Sequence, residues 1–263
     1  GYKGPCYVVI DDEDKTGHQY VEKLGEKSVL IFDKKEYASR IDSADNFEDR
    51  RTTTHARNAC FDFAESLGFE NFLVLDDDYS NFCYNFTSTG QFLRAGVKSF
   101  GALAAKMFHF MNTDDRIRSV CFIQGGDLIG GVSAIESGCY PFLKRKSMNS
   151  FFCKVSRRFQ FFSRLNEDVN TYLIKGSRGE IFMSIPDIAL NQQQTQASSG
   201  GMSDAYHAAG TYVKTFYSVM ICPSFVKVSL PTSDTASTIR RIHHRVSWNN
   251  AVPKILDQSK KKQ

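Results

Sequence analysis

The sequence predicts an α/β fold, because short apolar runs alternate with helical patterns along its N-terminal part. Three apolar runs are typical of buried strands: residues 5–11 (PCYVVID), 28–32 (SVLIF) and Asn71–Leu75 (NFLVL). Between the last two, apolar side chains recur at helical spacing from Ala56 to Leu67, and Gly68 supplies a stop. This strand–helix order favours a parallel sheet, in which ligands bind beyond the carboxyl ends of the strands.

Apolar periodicity predicts the remaining elements. We expect helices at residues 18–24, 92–111, 165–176 and 203–217, and strands at residues 119–124 and 225–230. Residues 191–201 (NQQQTQASSGG) form a polar low-complexity stretch that is long enough to act as a lid or substrate loop. Residues 232–238 are expected to form a polar linker.

The composition is that of an ordinary globular protein, with 41% of the 263 residues hydrophobic and 24% charged. No apolar run approaches the roughly 18 residues needed to cross a bilayer, and no signal-peptide pattern is present. The seven cysteines are scattered without a CxxC pair, which favours reduced thiols over disulfides or a zinc site. We therefore expect a cytoplasmic protein that is neither secreted nor anchored in a membrane. Its net charge of +4 permits a polyanionic partner without demanding one.

The third predicted strand ends in three consecutive carboxylates, Asp76, Asp77 and Asp78. Alternate side chains of a strand share a face, so Asp76 and Asp78 point one way and Asp77 the other. Two carboxylates about 4 Å apart repel by roughly 4 kcal/mol at an effective dielectric near 20. A divalent cation such as Mg²⁺ or Mn²⁺ would relieve that repulsion, whereas the plain alternative is a solvated acidic turn. Asp11 and Asp12 end the first strand and are expected at the same edge.

Glycines recur in residues 125–138 (GGDLIGGVSAIESG). The pattern is neither a P-loop nor a dinucleotide-binding fingerprint. It allows the backbone to approach a ligand closely, and tight turns between short strands explain it equally well.

Residues 144–164 mix cations with aromatic side chains, which suits a nucleic-acid surface. The alternative is an amphipathic strand pair whose phenylalanines belong to the core. The cations are Lys144, Arg145, Lys146, Lys154, Arg157, Arg158 and Arg164, and the phenylalanines are Phe151, Phe152, Phe159, Phe161 and Phe162. A second basic segment spans residues 240–245.

Asn166, Glu167 and Asp168 open a predicted helix, where an asparagine cap and acids suit the helix dipole. With this NED motif in place, the motifs follow the order of GT-A glycosyltransferases: acid-ended strand, Asp-x-Asp, glycine loop, x-Glu-Asp and a C-terminal histidine. The chain more closely resembles the TET-associated glycosyltransferases of phages and their relatives, including the base J glucosyltransferase. The resemblance covers residues 5–255. Its distinctive stretches are ARN (56–58), LVLDDDY (73–79), FCKVSRRF (152–159), NEDVNTYL (166–173), GGMSDAYHAAGTYVKTFYSVM (200–220), PSFVKVS (223–229) and RIHHRVSWNNAVPKI (241–255).

The resemblance implies a GT-A fold with a Rossmann-like central mixed sheet flanked by helices. It implies one domain over residues 1–255, with a nucleotide-sugar-binding half (1–125) and an acceptor-binding half (126–255). Residues 256–263 would be a basic disordered tail. The implied reaction moves a sugar from a UDP-sugar to the hydroxymethyl group of 5-hydroxymethylcytosine or 5-hydroxymethyluracil in DNA, with the target base flipped out or single-stranded.

The resemblance also implies roles for donor-side residues. Asp76 and Asp78 would hold Mn²⁺ or Mg²⁺, which offsets the charge of the departing diphosphate. His243 or His244 would be a third metal ligand or a diphosphate contact, and a surface histidine pair is the alternative. The residues implied in donor binding are Arg57 for the diphosphate, Asp11 or Asp12 for the nucleoside, and Asp77 or Asp76 for the ribose.

An acceptor hydroxymethyl is a poor nucleophile at neutral pH, so an inverting transfer needs a general base within about 3 Å of it. We expect Asp168 to be that base, with Glu167 as the second choice. Base J is a β-glucoside, which favours inversion in its relatives if the donor is α-linked. The competing readings are a metal-dependent nucleotidyltransferase, a glycosyltransferase with a non-DNA acceptor, and a DNA-binding protein without catalysis. The basic segments at 144–164 and 240–245 are the expected contacts with the DNA backbone.

Overall fold

A computed structural model describes residues 2–124, 146, 147, 149–192, 213–230 and 242–251. Within these residues the chain forms strands and helices in alternating groups. In chain order they are β1 Val8–Asp11, α1 Gly17–Leu24, β2 Val29–Phe32, α2 Lys34–Ser39, α3 Thr54–Ser66, β3 Asn71–Leu75, β4 Tyr79–Phe86, β5 Phe92–Gly96, α4 Phe100–Met111, β6 Ile117–Gln124, β7 Ser150–Lys154, α5 Glu167–Ser177, β8 Ile181–Gln192, α6 Val213–Ile221, β9 Val226–Ser229, β10 His243–Val246 and α7 Trp248–Ala251.

The centre of the fold is a six-stranded sheet in the order β3-β7-β6-β8-β4-β5. Only β6 and β8 run parallel, and the other four neighbouring pairs are antiparallel. A parallel pair, β1 and β2, and an antiparallel ribbon, β9 and β10, accompany it. The mixed sheet flanked by helices confirms the predicted α/β class and is consistent with a glycosyltransferase-like fold.

The structure corrects two expectations about the early elements. Strand β3 does not continue the parallel pair: it pairs antiparallel with β7, where Phe72 lies opposite Cys153. Local strand–helix order does not encode such a partner, which comes from much later in the chain. The single helix expected at residues 92–111 is also wrong. Residues Phe92–Gly96 form β5, a hairpin partner of β4, and α4 begins only at Phe100.

The phenylalanines around β7 belong to the core. Successive residues of this strand face opposite sides of the sheet: Phe151 packs with α3 and α5, whereas Phe152 packs with α4 and β6. Phe159 and Phe161 join the same cluster as Phe151. The core interpretation of this segment is therefore confirmed for these four side chains, but the expected strand pair is wrong because only Phe151 and Phe152 lie on a strand.

Three arginines of the same segment form hydrogen bonds or ion pairs with other residues of the protein. Arg157 is buried and donates to the carbonyl oxygen of Met111 at 2.8 Å. Arg158 forms an ion pair with Asp62, and buried Arg164 one with Asp45. These three arginines therefore do not form the nucleic-acid surface that the sequence pattern had suggested.

Several expectations fall outside the described residues. These are the glycine-rich stretch at 125–138, most of the polar loop at 191–201, the start of the helix at 203–217, the linker at 232–238, the tail at 256–263, and Lys144, Arg145, Arg240 and Arg241. The domain extent of 1–255 and its division after residue 125 stay predictions. None of the described helices is long and apolar enough to cross a membrane.

Replacing Phe152 by alanine is expected to lower the free energy of unfolding by about 3–5 kcal/mol, because its fully buried ring packs against Phe108 and Phe122. The same change at exposed Phe47 should cost about 1 kcal/mol or less. Urea denaturation of both variants measures the difference. Equal losses would contradict the assignment of β7 to the core.

Candidate active site

A buried guanidinium connects the two acidic motifs. Arg57 lies on the first turns of α3 with only 4% of its surface exposed. Its Nη2 lies 3.0 Å and 3.2 Å from the two carboxylate oxygens of Asp76, and its Nη1 lies 2.7 Å from Oε1 of Glu167. Burial lowers the pKa of Arg57, but the charges of the surrounding carboxylates outweigh it and the net direction is upward. The end of β3 and the start of α5 are thus held by one cation.

Helix α3 also fixes the loop that leads into the NED motif. Thr54 donates from its hydroxyl to the carbonyl oxygen of Ser163 at 2.7 Å. Asn58 makes two hydrogen bonds of 2.9 Å with the backbone of Phe161, one in each direction. Because these contacts come from the same helix as Arg57, the loop and the ion cluster share one support.

Two residues of this loop adopt a backbone conformation that L-residues rarely take. Ser163 has φ +70° and Asn166 has φ +57°. Asn170 donates to the Ser163 hydroxyl at 2.8 Å and to the Leu165 carbonyl oxygen at 3.1 Å. The side chain of Asn166 donates to the Ser218 hydroxyl at 2.8 Å. These hydrogen bonds stabilise a turn that begins α5 and presents Glu167.

The three aspartates after β3 have different surroundings. Asp76 is half-buried and engaged by Arg57, whereas Asp77 is exposed. Asp78 accepts a hydrogen bond from Gln192 through Oδ2, but its buried Oδ1 has no hydrogen-bond partner among the described residues. Burial raises the pKa of Asp78, and repulsion from Asp76 and Asp77 adds to the increase. The three charges thus act on one another, and one oxygen of Asp78 has no partner in the described part of the chain.

The fit of a divalent cation depends on that oxygen. Carboxylate oxygens are the ligands that Mg²⁺ and Mn²⁺ prefer, and Mg²⁺ usually takes one or two carboxylates and completes its shell with water and phosphate. Asp78 offers its unpartnered oxygen, and Asp76 keeps spare lone pairs beside Arg57. Among the described residues there is no ready group of three or more His, Cys, Asp or Glu ligands. These carboxylate oxygens thus fit a cation whose remaining ligands come from a substrate and from water.

The two acids of the NED motif differ in how they are held. Glu167 accepts hydrogen bonds from Arg57 and from the hydroxyl of Thr53 through the same oxygen. Burial raises the pKa of Glu167, and the Asp168 charge acts in the same direction against the Arg57 charge. Asp168 is equally buried, but among the described residues its Oδ1 accepts only from the backbone N–H of Val169 and it forms no ion pair. Asp168 is therefore less engaged by the protein than Glu167.

Of the two C-terminal histidines, one lies beside the NED motif. The ring Nδ1 of His244 lies 3.4 Å from the side-chain nitrogen of Asn166, whereas His243 is exposed. Burial lowers the pKa of His244 to about 4, helped by the charges of Lys146 and Lys214. A neutral His244 thus lies beside the start of α5, and its role as a metal ligand or diphosphate contact stays a prediction.

Asp11 and Asp12 both contact Lys34 at the start of α2. Asp11 forms an ion pair with the Lys34 ammonium at 3.3 Å, and Asp12 accepts from the Lys34 backbone N–H at 2.9 Å. These contacts leave the acids at the end of β1, as expected, and their proposed contact with a nucleoside stays a prediction.

Sequence reasoning missed His55, which precedes the ARN stretch by one residue. It is buried, and its Nδ1 has no hydrogen-bond partner among the described residues. Together with Asp49, Thr52 and Arg164 it lines a cavity of about 340 Å³. Burial lowers the pKa of His55 to about 4, so the ring is neutral at pH 7. In the sequence, His55 is an isolated histidine within residues 54–58 (THARN) and gives no sign of a site. Only the fold shows that its side chain borders a cavity.

Comparison with known proteins gives one match. The model of a family described as TET-Associated Glycosyltransferase matches residues 1–201, which include α3, the acidic run after β3 and the NED motif. The C-terminal histidines lie beyond the matched residues. Neither a curated protein nor a solved structure matches the chain.

Replacing Arg57 by alanine is expected to cost about 3–5 kcal/mol of folding free energy, because two carboxylates lose their shared buried partner. The control is Arg116→Ala, which removes an exposed ion pair with Asp114 and should cost about 1 kcal/mol or less. Urea denaturation gives both values. A loss at position 57 no larger than at position 116 would show that the cluster does not hold the site together.

Proposed function

The chain belongs to the family of TET-associated glycosyltransferases, and we propose that it transfers a sugar from a UDP-sugar to the hydroxymethyl group of 5-hydroxymethylcytosine or 5-hydroxymethyluracil in DNA. The observation that carries this proposal is the contact of Arg57 with both acidic motifs. A transferase of this type needs donor-side carboxylates and an acceptor-side base at one site. The guanidinium of Arg57 contacts Asp76 and Glu167 at the same time, so the two carboxylates lie on either side of one group.

The departing nucleoside diphosphate carries developing negative charge. A bound Mn²⁺ or Mg²⁺ would neutralise that charge. Asp78 and Asp76 are the residues to hold it, because Asp78 has a buried oxygen without a partner. The two Nη atoms of Arg57 are engaged by Asp76 and Glu167, so Arg57 orients Asp76, and its contact with the diphosphate stays a prediction.

In the transfer step, Asp168 accepts the proton of the acceptor hydroxymethyl group. The acceptor oxygen forms a bond to the anomeric carbon as the bond from that carbon to the diphosphate oxygen breaks, so UDP leaves with the electron pair. Attack from the face opposite the leaving group inverts the configuration. Glu167 is less suited to this role because its ion pair with buried Arg57 and its hydrogen bond from Thr53 hold the carboxylate in place. It positions the start of α5 instead.

The cavity beside His55 is suited to bind the nucleoside of the donor. The cavity beside His55 has a volume within the range typical of small-molecule sites. Its cations are compensated: Arg164 pairs with Asp45 and Asp49, and Arg50 pairs with Glu13. A neutral base suits these surroundings better than a phosphate does. The charge of Asp11 acts on His55, which supports a nucleoside bound between this cavity and the end of β1.

The decisive experiment offers the protein duplex and single-stranded DNA that contains 5-hydroxymethylcytosine or 5-hydroxymethyluracil, with a panel of UDP-sugars and Mn²⁺. Mass spectrometry of the released nucleosides should show the mass of one added sugar, with UDP as the second product. Sugar transfer that appears only with a non-DNA acceptor would refute the proposed acceptor. Release of pyrophosphate would identify a nucleotidyltransferase.

Replacing Asp168 by asparagine is expected to lower kcat by about 10²–10⁴-fold, because the side chain keeps its shape but no longer accepts the proton. Donor affinity, measured by calorimetry with UDP, should stay close to that of the wild type. Asp187→Asn, an exposed change on β8, is the matched control and should leave kcat unaltered. A wild-type rate for Asp168→Asn would remove this residue as the base.

Asp78→Ala should abolish turnover of the nucleotide sugar, since it removes the carboxylate that has an unsatisfied oxygen. A chelator should inhibit the wild type in the same way, and added Mn²⁺ should restore the activity. Circular dichroism of the variant serves as the check on folding. Full activity of the wild type in the presence of a chelator would contradict a metal-dependent mechanism.

A further inference from the structure

The ribbon of β9 and β10 has two chemically different faces. Val226 lies opposite Val246, and both pack on the core cluster around α5. The next pair, Lys227 and Arg245, lies one residue along each strand and therefore projects from the other face. Ser229 and His243 form the second pair of that face. One face thus packs on the core through Val226 and Val246, whereas the other is basic.

The basic face carries an unfavourable charge pair. Lys227 and Arg245 are directly opposite each other and both are exposed. Neither forms an ion pair with any residue that the structure describes. Like charges at directly opposite positions destabilise an antiparallel pair. An external anion would turn this repulsion into binding.

The ribbon also adjoins the acceptor side of the site. His244 projects from its packed face and lies 3.4 Å from Asn166, the residue before Glu167 and Asp168. Two further cations, Lys146 and Lys214, lie close enough to lower the pKa of His244. Arg157, Arg158 and Arg164, which follow β7, are already engaged by other residues of the protein. Lys227 and Arg245 of the ribbon, by contrast, are exposed cations that pair with no described acid beside the NED motif.

We propose that the basic ribbon face, formed by Lys227, Ser229, His243 and Arg245, contacts the phosphate backbone of the acceptor DNA. This inference rests on the proposed function for the identity of the polyanion. Duplex DNA carries a dense row of charge, about one phosphate per 1.7 Å of axis, which suits two adjacent cations on a ribbon. Phosphate contacts fix the position of a strand without reading its sequence. The ribbon would thus hold the strand while the modified base reaches Asp168.

Fluorescence anisotropy with a labelled duplex, measured without donor over a series of salt concentrations, tests the proposal. Lys227→Gln and Arg245→Gln should each reduce the slope of log affinity against log salt by about one, and the double variant by about two. Lys106→Gln, at an exposed position of α4, is the matched control and should leave the slope unchanged. Unchanged slopes for the ribbon variants, or an equal reduction for the control, would overturn the proposal.

A charge reversal separates a binding defect from a folding defect. Lys227→Glu places opposite charges across the ribbon, so the midpoint of thermal unfolding should rise while DNA affinity falls. A lower midpoint with unchanged DNA affinity would contradict the proposal.

A second readout distinguishes this proposal from the proposed function. Sugar transfer to the free nucleosides 5-hydroxymethyl-2′-deoxycytidine and 5-hydroxymethyl-2′-deoxyuridine requires no backbone contact. If the wild type transfers sugar to a nucleoside, the ribbon variants should keep that rate and lose transfer to DNA. If the wild type transfers to no acceptor but binds DNA with the expected slopes, the proposed function fails and the ribbon assignment stands.

Discussion

The arrangement of the site depends on the burial of the Arg57 guanidinium. A buried charge is costly unless it is paired and hydrogen-bonded, and Arg57 meets that requirement only by contacting Asp76 and Glu167 together. These acids come from the end of an edge strand of the main sheet and the start of a helix about ninety positions later in the chain. Because one planar cation binds both, their separation is set by its geometry. The cluster therefore determines how the acids after β3 and the NED motif are placed relative to each other.

This pairing divides the work between neighbouring carboxylates. Within each acidic motif, one member is held by Arg57 and another is left with capacity for a substrate. Asp76 is held, whereas one buried oxygen of Asp78 accepts no hydrogen bond from a described residue. Glu167 is held, whereas Asp168 accepts a hydrogen bond only from the backbone N–H of Val169 within the same described ranges. The unpaired members are the ones suited to a cation and to a proton. Adjacent acids thus acquire different chemistry from a single arginine.

Much of the site was predictable from local sequence, because strand ends and helix starts have local signals. The acids after Asn71–Leu75 and the start of α5 at Glu167 lie where the patterns predicted them. The role of Arg57 was not predictable, since it depends on which distant acids the fold brings to α3. The phenylalanines of β7 were ambiguous for the same reason: alternate residues are buried on both faces, which obscures the amphipathic pattern. Strand β5 was missed because the spacing of apolar residues from 92 to 111 resembles that of one continuous helix. The sign of a hairpin was Gly90, which adopts φ +80° in the turn between β4 and β5.

Stability alone gives no reason to keep this cluster, since apolar residues of similar volume often replace a buried ion group without loss. The left-handed Ser163 and Asn166 add local backbone strain, and they lie in the same loop. Both costs occur where the NED motif is presented, and hydrogen bonds from Thr54 and Asn58 of α3 offset them. Asn166 also meets His244 of the ribbon, so this turn connects the ion cluster to the basic surface. Helix α3 therefore supports one continuous path from the acids after β3, through the NED turn, to the ribbon. The buried charges and the strained backbone, which both lower stability, thus lie along this one path. Such a concentration is expected where carboxylates must be held in fixed positions for function.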